Sequence, residues 1–92
     1  MNKITLRIKK IFFNKILTGE KVFEYRKDSP YYKSLFSRKP EKIIFHYQGG
    51  NFLIVDVIEI KKIRRLKRFD NIPYLNTSQI YRIKINNPRI FI

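Results

Sequence analysis

Ile4, Leu6 and Ile8 alternate with Thr5 and Arg7, the two-residue period of a half-buried strand. From Lys9 to Leu17 the period lengthens. Ile11, Phe12, Phe13 and Ile16 gather on one side of a helical wheel, with Lys10, Asn14 and Lys15 opposite, so a helix is expected there. Gly19 supplies the left-handed turn that ends it. Lys21 to Lys27 returns to alternation, with Val22, Glu24 and Arg26 on one side and Lys21, Phe23, Tyr25 and Lys27 on the other. Asp28-Ser29-Pro30 breaks this strand, Tyr31 to Phe36 reads as one irregular helical turn, and Ser37-Arg38-Lys39-Pro40 reads as a basic loop.

Lys42 to Gln48 is a third strand, joined through Gly49-Gly50-Asn51 to a fourth over Phe52 to Lys62, which makes a hairpin. Phe52-Leu53-Ile54-Val55 is apolar on both sides, as in a strand buried on both faces. Arg64 to Thr77, broken by Asn71, Pro73 and Asn76, reads as a connection. Ser78 to Asn86 is a fifth strand, with Ile80, Arg82, Lys84 and Asn86 opposed to Tyr81, Ile83 and Ile85. Asn87-Pro88 then turns the chain into a last short strand, Arg89 to Ile92. The expected fold is mostly β with one or two short helices (α+β), five to six strands in a small open β-barrel.

Length changes this picture little: 92 residues make one domain that buries on the order of 65% of its unfolded surface. Charge changes it more. Twenty-one Lys and Arg face seven Asp and Glu, a formal net charge of +14, and a compact chain so charged repels itself unless a polyanion neutralises it. An AT-rich coding bias also enriches Lys, Ile, Asn, Phe and Tyr. Without cysteine there is no disulfide framework, thiolate metal site or cysteine nucleophile. The alternating N-terminus is no signal peptide, and Phe52 to Ile60, interrupted by Asp56 and Glu59, is far short of the roughly 20 residues of a bilayer span. A cytoplasmic protein with no membrane attachment and no cofactor is expected, and RNA is the foremost partner, alone or within a ribonucleoprotein, with DNA left open.

The order of strand, helix, Gly19-x-Lys21-x-x-Glu24-x-Arg26, hairpin, basic connection and final strand resembles the ASCH domain family, whose fold is similar to the PUA domain. The resemblance runs from Leu6 through Ile85 and is sharpest over Ile16 to Lys21 with Glu24 and Arg26. It implies an RNA-binding cleft beside the first helix, lined by that segment. Similar members are small amidohydrolases that deacylate a modified cytidine with a Lys, a Thr and a Glu, and one is a ribonuclease. Lys21 occupies the Lys position, Glu24 stands where that pattern has Thr, and Leu66 to Ser78 holds only Asp70 as an acid. A reduced catalytic site would pair Lys21 with Glu24 or Asp56. Because minimal ASCH domains occur in phage genomes, an inhibitor that binds a host defence ribonucleoprotein is a third reading.

Candidate ligand contacts follow from residue chemistry. Lys21 offers a compact ammonium and Arg26 a planar fork of donors, while Glu24 and Arg26, two apart on one strand side, can pair. Lys61, Lys62, Arg64, Arg65, Lys67 and Arg68 put six cations into eight residues, a run suited to phosphates. Tyr31, Tyr32 and Tyr74 fall in expected loops as stacking platforms, whereas most other aromatics belong to the core. His46 is the sole histidine, set between Phe45 and Tyr47, which leaves no histidine pair for acid–base chemistry or a metal site.

Overall fold

A computed structural model describes residues 2–91. Met1 and Ile92, at the outer ends of the first and last expected strands, lie outside the described residues. Chain order is β1 (Lys3–Arg7), α1 (Lys10–Leu17), β2 (Phe23–Lys27), α2 (Pro30–Ser37), β3 (Lys42–His46), β4 (Phe52–Arg64), two short 3₁₀ turns (Lys67–Phe69 and Pro73–Leu75) and β5 (Gln79–Phe91). One five-stranded sheet runs β1-β3-β4-β5-β2 and curls into a half-barrel. Only the β1–β3 pair is parallel. β1 and β2 are therefore both edges, and the barrel stays open between them.

The concave side holds the core. Ile4 and Leu6 from β1, Phe13 and Ile16 from α1, Phe36 from α2, Ile43 and Phe45 from β3, Leu53 and Val55 from β4, and Ile83 and Ile85 from β5 form one buried cluster. β4 alternates more strictly than its apolar start suggests. Leu53 and Val55 are buried, but Phe52 is 46% exposed and Ile54 half-buried, so the strand is not buried on both faces. A second helix replaces the single irregular turn expected over Tyr31 to Phe36. Pro30 stands at its first position, where its missing N–H costs nothing, and the Ser29 hydroxyl accepts from the Tyr32 N–H at 3.3 Å as an N-cap.

Asn87-Pro88 is not a turn, because β5 continues through it. Ile54 pairs with Arg89 and Asp56 with Asn86, so β5 has one residue more than β4 over this stretch and bulges there. Asn87 takes φ +53°, a left-handed conformation that Asn tolerates, and a bulge is a place where a sheet accepts proline. β4 has its own extra residue at Ile58, between the pairs Val57–Ile85 and Glu59–Lys84. Two bulges bend two 13-residue strands. Asp56 staples the first bulge: it ion-pairs with Lys42, accepts from Asn87 Nδ2 at 3.1 Å and from Arg89 Nη2 at 3.2 Å. It takes no part in the seam between β1 and β2, which removes it as a partner for Lys21.

The hydrogen bond from Lys42, with those from Asn87 and Arg89, lowers the Asp56 carboxyl to about 2. A carboxyl held below its unfolded value stabilises the fold above that unfolded value and loses the contribution as pH falls toward 2. Asp56→Asn is expected to be less stable than wild type at pH 7, with the gap closing between about pH 4 and pH 2; urea midpoints across that range measure it, and a gap constant with pH would exclude the staple.

Candidate nucleic-acid interface

Where the sheet fails to close, a cavity of about 650 Å³ opens. The end of β1 supplies Arg7, Ile8 and Lys9; α1 supplies Phe12; Lys21 and β2 supply Glu24, Tyr25, Arg26 and Lys27; α2 supplies Tyr32; and the 3₁₀ connection closes it with Arg68, Phe69, Ile72, Tyr74 and Leu75. Six cations and four of the six tyrosine and phenylalanine rings of β2, α1 and the connecting turns surround one carboxylate.

Gly19, at φ +83°, ends α1 and reverses the chain. The Lys21 N–H then donates to the Lys15 carbonyl at 2.9 Å, which keeps Lys21 out of the ladder, and β2 begins at Phe23. Lys21 is thus freed from strand alternation. Its ammonium reaches the Glu24 Oε1 at 3.3 Å and donates to the Phe23 carbonyl, lying 5.5 Å from the Phe12 ring centre and 5.4 Å from that of Tyr25. Val22, expected on the Glu24 side, is instead 45% exposed. Alternation holds only from Phe23 onward.

Glu24 is the one buried charged side chain among the described residues, 5% exposed. Its Oε2 accepts from Arg26 Nε at 3.2 Å and Nη2 at 2.7 Å, and its Oε1 accepts from the Tyr25 N–H at 3.2 Å. Arg26 spans the opening: Nη2 also donates to the Arg7 carbonyl on β1 at 2.9 Å, and Nη1 to the Tyr32 hydroxyl at 3.0 Å. Burial pulls the Arg26 guanidinium down, but the charge of Glu24 and the bonds to Tyr32 and Glu24 raise it above its ordinary value overall. It stays a cation.

The mouth is aromatic and basic. Arg68 lies 4.9 Å from the Phe69 ring centre and 5.8 Å from that of Tyr25, and its Nη2 donates to the Tyr25 hydroxyl at 3.1 Å. Tyr25 and Phe69 stand 4.8 Å apart, and Lys9 sits 5.3 Å from the Tyr74 ring.

Of the residues singled out by the sequence, Lys21, Glu24, Arg26, Tyr32, Tyr74 and Arg68 meet here. The rest of the basic run does not line the cavity. β4 extends through Arg64, so its cations alternate between faces instead of gathering in a connection. Lys61 opposes Arg82 on the outer face, while Lys62 is directed to Asp28 at 3.4 Å and to the Tyr81 ring. Arg65 pairs with Asp70 at 3.3 Å, and Asp70 does not line the cavity. Arg64 and Lys67 are exposed outside it, and Tyr31, 62% exposed, packs edge-on against Tyr32 beyond the wall. His46 is half-buried beside Phe52. Sequence reasoning missed Arg7, Lys9, Phe12, Lys27 and Phe69, and assigned Tyr25 to the core. The available signal was Phe69 next to Arg68, an aromatic at the end of a basic run.

The family model described as ASCH domain matches residues 6–88. Neither a curated protein nor a solved structure gives a significant match.

Removing the carboxylate leaves two half-buried cations with no anion between them. Glu24→Ala is expected to cost about 3–5 kcal/mol, and Lys21→Ala clearly less because Arg26 still neutralises Glu24. Equal losses in urea unfolding would show that Glu24 does not hold the pair together.

Proposed function

The chain belongs to the ASCH domain family, and from that membership and the seam geometry we propose that it binds single-stranded RNA, seating one unstacked base in the cavity between β1 and β2. The supporting observation is the combination of aromatic walls, Phe12, Tyr25 and Phe69, with a polar floor and cations at the mouth. Unstacked bases are held on aromatic and guanidinium planes, and the volume suits a single small group more than a helix. Arg7, Lys9, Lys27 and Arg68 supply the phosphate contacts, and each neutralised phosphate makes binding weaken with salt.

The hydrogen bonds at the floor support a choice among bases. An ionised carboxylate has about four acceptor positions. Two bonds from Arg26 and one from the Tyr25 N–H occupy three of those of Glu24, and the Lys21 ammonium faces the carboxylate at 3.3 Å. Lys21 carries three donors, gives one to the Phe23 carbonyl and holds its charge against Glu24. The floor therefore offers donors and little free acceptor capacity, which favours a base presenting a carbonyl oxygen, uracil, cytosine or guanine, over adenine.

The same contacts weigh against hydrolysis. Lys21 and Glu24 neutralise each other at 3.3 Å, and neither keeps the free lone pair that a general base needs. Incubation with acylated cytidine and with single-stranded RNA is expected to yield no turnover; turnover that Lys21→Ala abolishes would make the protein an enzyme.

Lys21→Ala is expected to reduce affinity for oligouridine about tenfold, one lost charge-assisted hydrogen bond, while changing affinity for oligoadenosine by less than about threefold. Titration of both oligonucleotides at fixed salt measures it. Equal losses for the two would leave the cavity as a source of charge alone.

A further inference from the structure

On the outer face of the sheet, opposite the core, strand register aligns cations and aromatics in a row that starts at the cavity mouth. Tyr25 on β2 opposes Arg82 on β5, and Arg82 opposes Lys61 on β4. Arg68 extends the row on the near side by stacking on Tyr25. The neighbouring row is Phe23, Lys84 and Glu59, with Phe23 6.4 Å from Tyr25 and the Arg82 guanidinium 5.1 Å from the Phe23 ring.

These cations are unspent. Among the described residues no ion pair involves Arg68, Arg82, Lys61 or Lys84. Arg82 Nε is buried with no hydrogen-bond acceptor, and among the described residues the guanidinium is held by stacking on Phe23. Leaving a buried donor unmet costs free energy, and an incoming phosphate that drew the guanidinium outward would relieve it. The borders are also defined. Glu59 places a negative charge at the far end of the second row, and on the other side the Lys27–Ile80–Ile63 row is covered, with Ile80 fully buried.

The geometry points to this row, Arg68, Tyr25, Arg82 and Lys61, with Lys84 alongside, as the track along which single-stranded RNA crosses the outer face after leaving the cavity. The inference rests on the proposed seating of a base in the seam and adds the path of the adjoining strand. Three neighbouring strands span about 10 Å from Tyr25 to Lys61, enough for a short extended stretch of backbone, with Tyr25 and Phe23 as platforms for bases. Duplex RNA cannot use those platforms, because its bases are stacked on one another.

Full-length protein carrying both Lys61→Ala and Lys84→Ala, two exposed positions, tests the track with a uridine dinucleotide and a uridine hexanucleotide. The double variant is expected to bind the hexanucleotide about tenfold more weakly, to reduce its log–log salt slope by about 1.4, and to bind the dinucleotide as wild type does. Arg82→Gln is expected to reproduce the pattern. Unchanged hexanucleotide binding, equal loss for both lengths, or wild-type binding of duplex RNA as tight as of the single strand would each overturn the track. If the dinucleotide binds and depends on Lys21 while the hexanucleotide ignores Lys61 and Lys84, the track alone fails; if wild type binds neither oligonucleotide, the seam reading fails with it.

Discussion

The pairing of Glu24 with Arg26 governs the opening of this half-barrel. A buried ion pair is seldom a gain over well-packed apolar side chains, since desolvation offsets most of the attraction. Its structural value here is positional. Arg26 links Glu24 on β2 to the Arg7 carbonyl on β1 and to Tyr32 on α2, joining two sheet edges that share no ladder. Lys21 then leans on the same carboxylate. The seam is held at a fixed width by side chains, and a cavity persists where continuous strand pairing would have left none.

Placement of the remaining charge follows from curvature. The bulges at Asn87-Pro88 and at Ile58 let β4 and β5 run as long bent strands, and the length of β4 decides the fate of the basic run. Residues in a strand alternate between faces, so Lys61 and Lys62 point opposite ways, and only Arg68, beyond the strand, reaches the seam. The surplus charge is thus divided between the cavity mouth, the outer face and the concave side.

Much of the fold was legible because its signals are local. Alternation in Ile4-Thr5-Leu6-Arg7-Ile8, the helical wheel over Lys9 to Leu17 and the turn at Gly19 each depend on neighbours in sequence, and the structure has β1, α1 over Lys10–Leu17 and a left-handed Gly19 there, with Phe13 and Ile16 inward and Ile11 exposed. Proline at 88 was misleading for a physical reason: a missing N–H ends a ladder in most settings but is accepted at a bulge, and the bulge is specified by Asp56, some thirty residues away. Lys21, Glu24 and Arg26 were visible as a group because they are close in sequence. Arg7, Lys9 and Phe69 were not, because what brings them together is the juxtaposition of two sheet edges that only tertiary closure creates. Tyr25 was misplaced in the core because a ring on an edge strand has the same local pattern as one on a central strand.

The guanidinium that bridges the two edges has a double employment. One side chain both lines the cavity and closes it, since its bonds to the Arg7 carbonyl and the Tyr32 hydroxyl tie the two edges to a helix. Any change of shape at this position therefore also changes how firmly the two edges are joined. At Arg26 the width of the cavity and the cohesion of the sheet are set by the same few bonds.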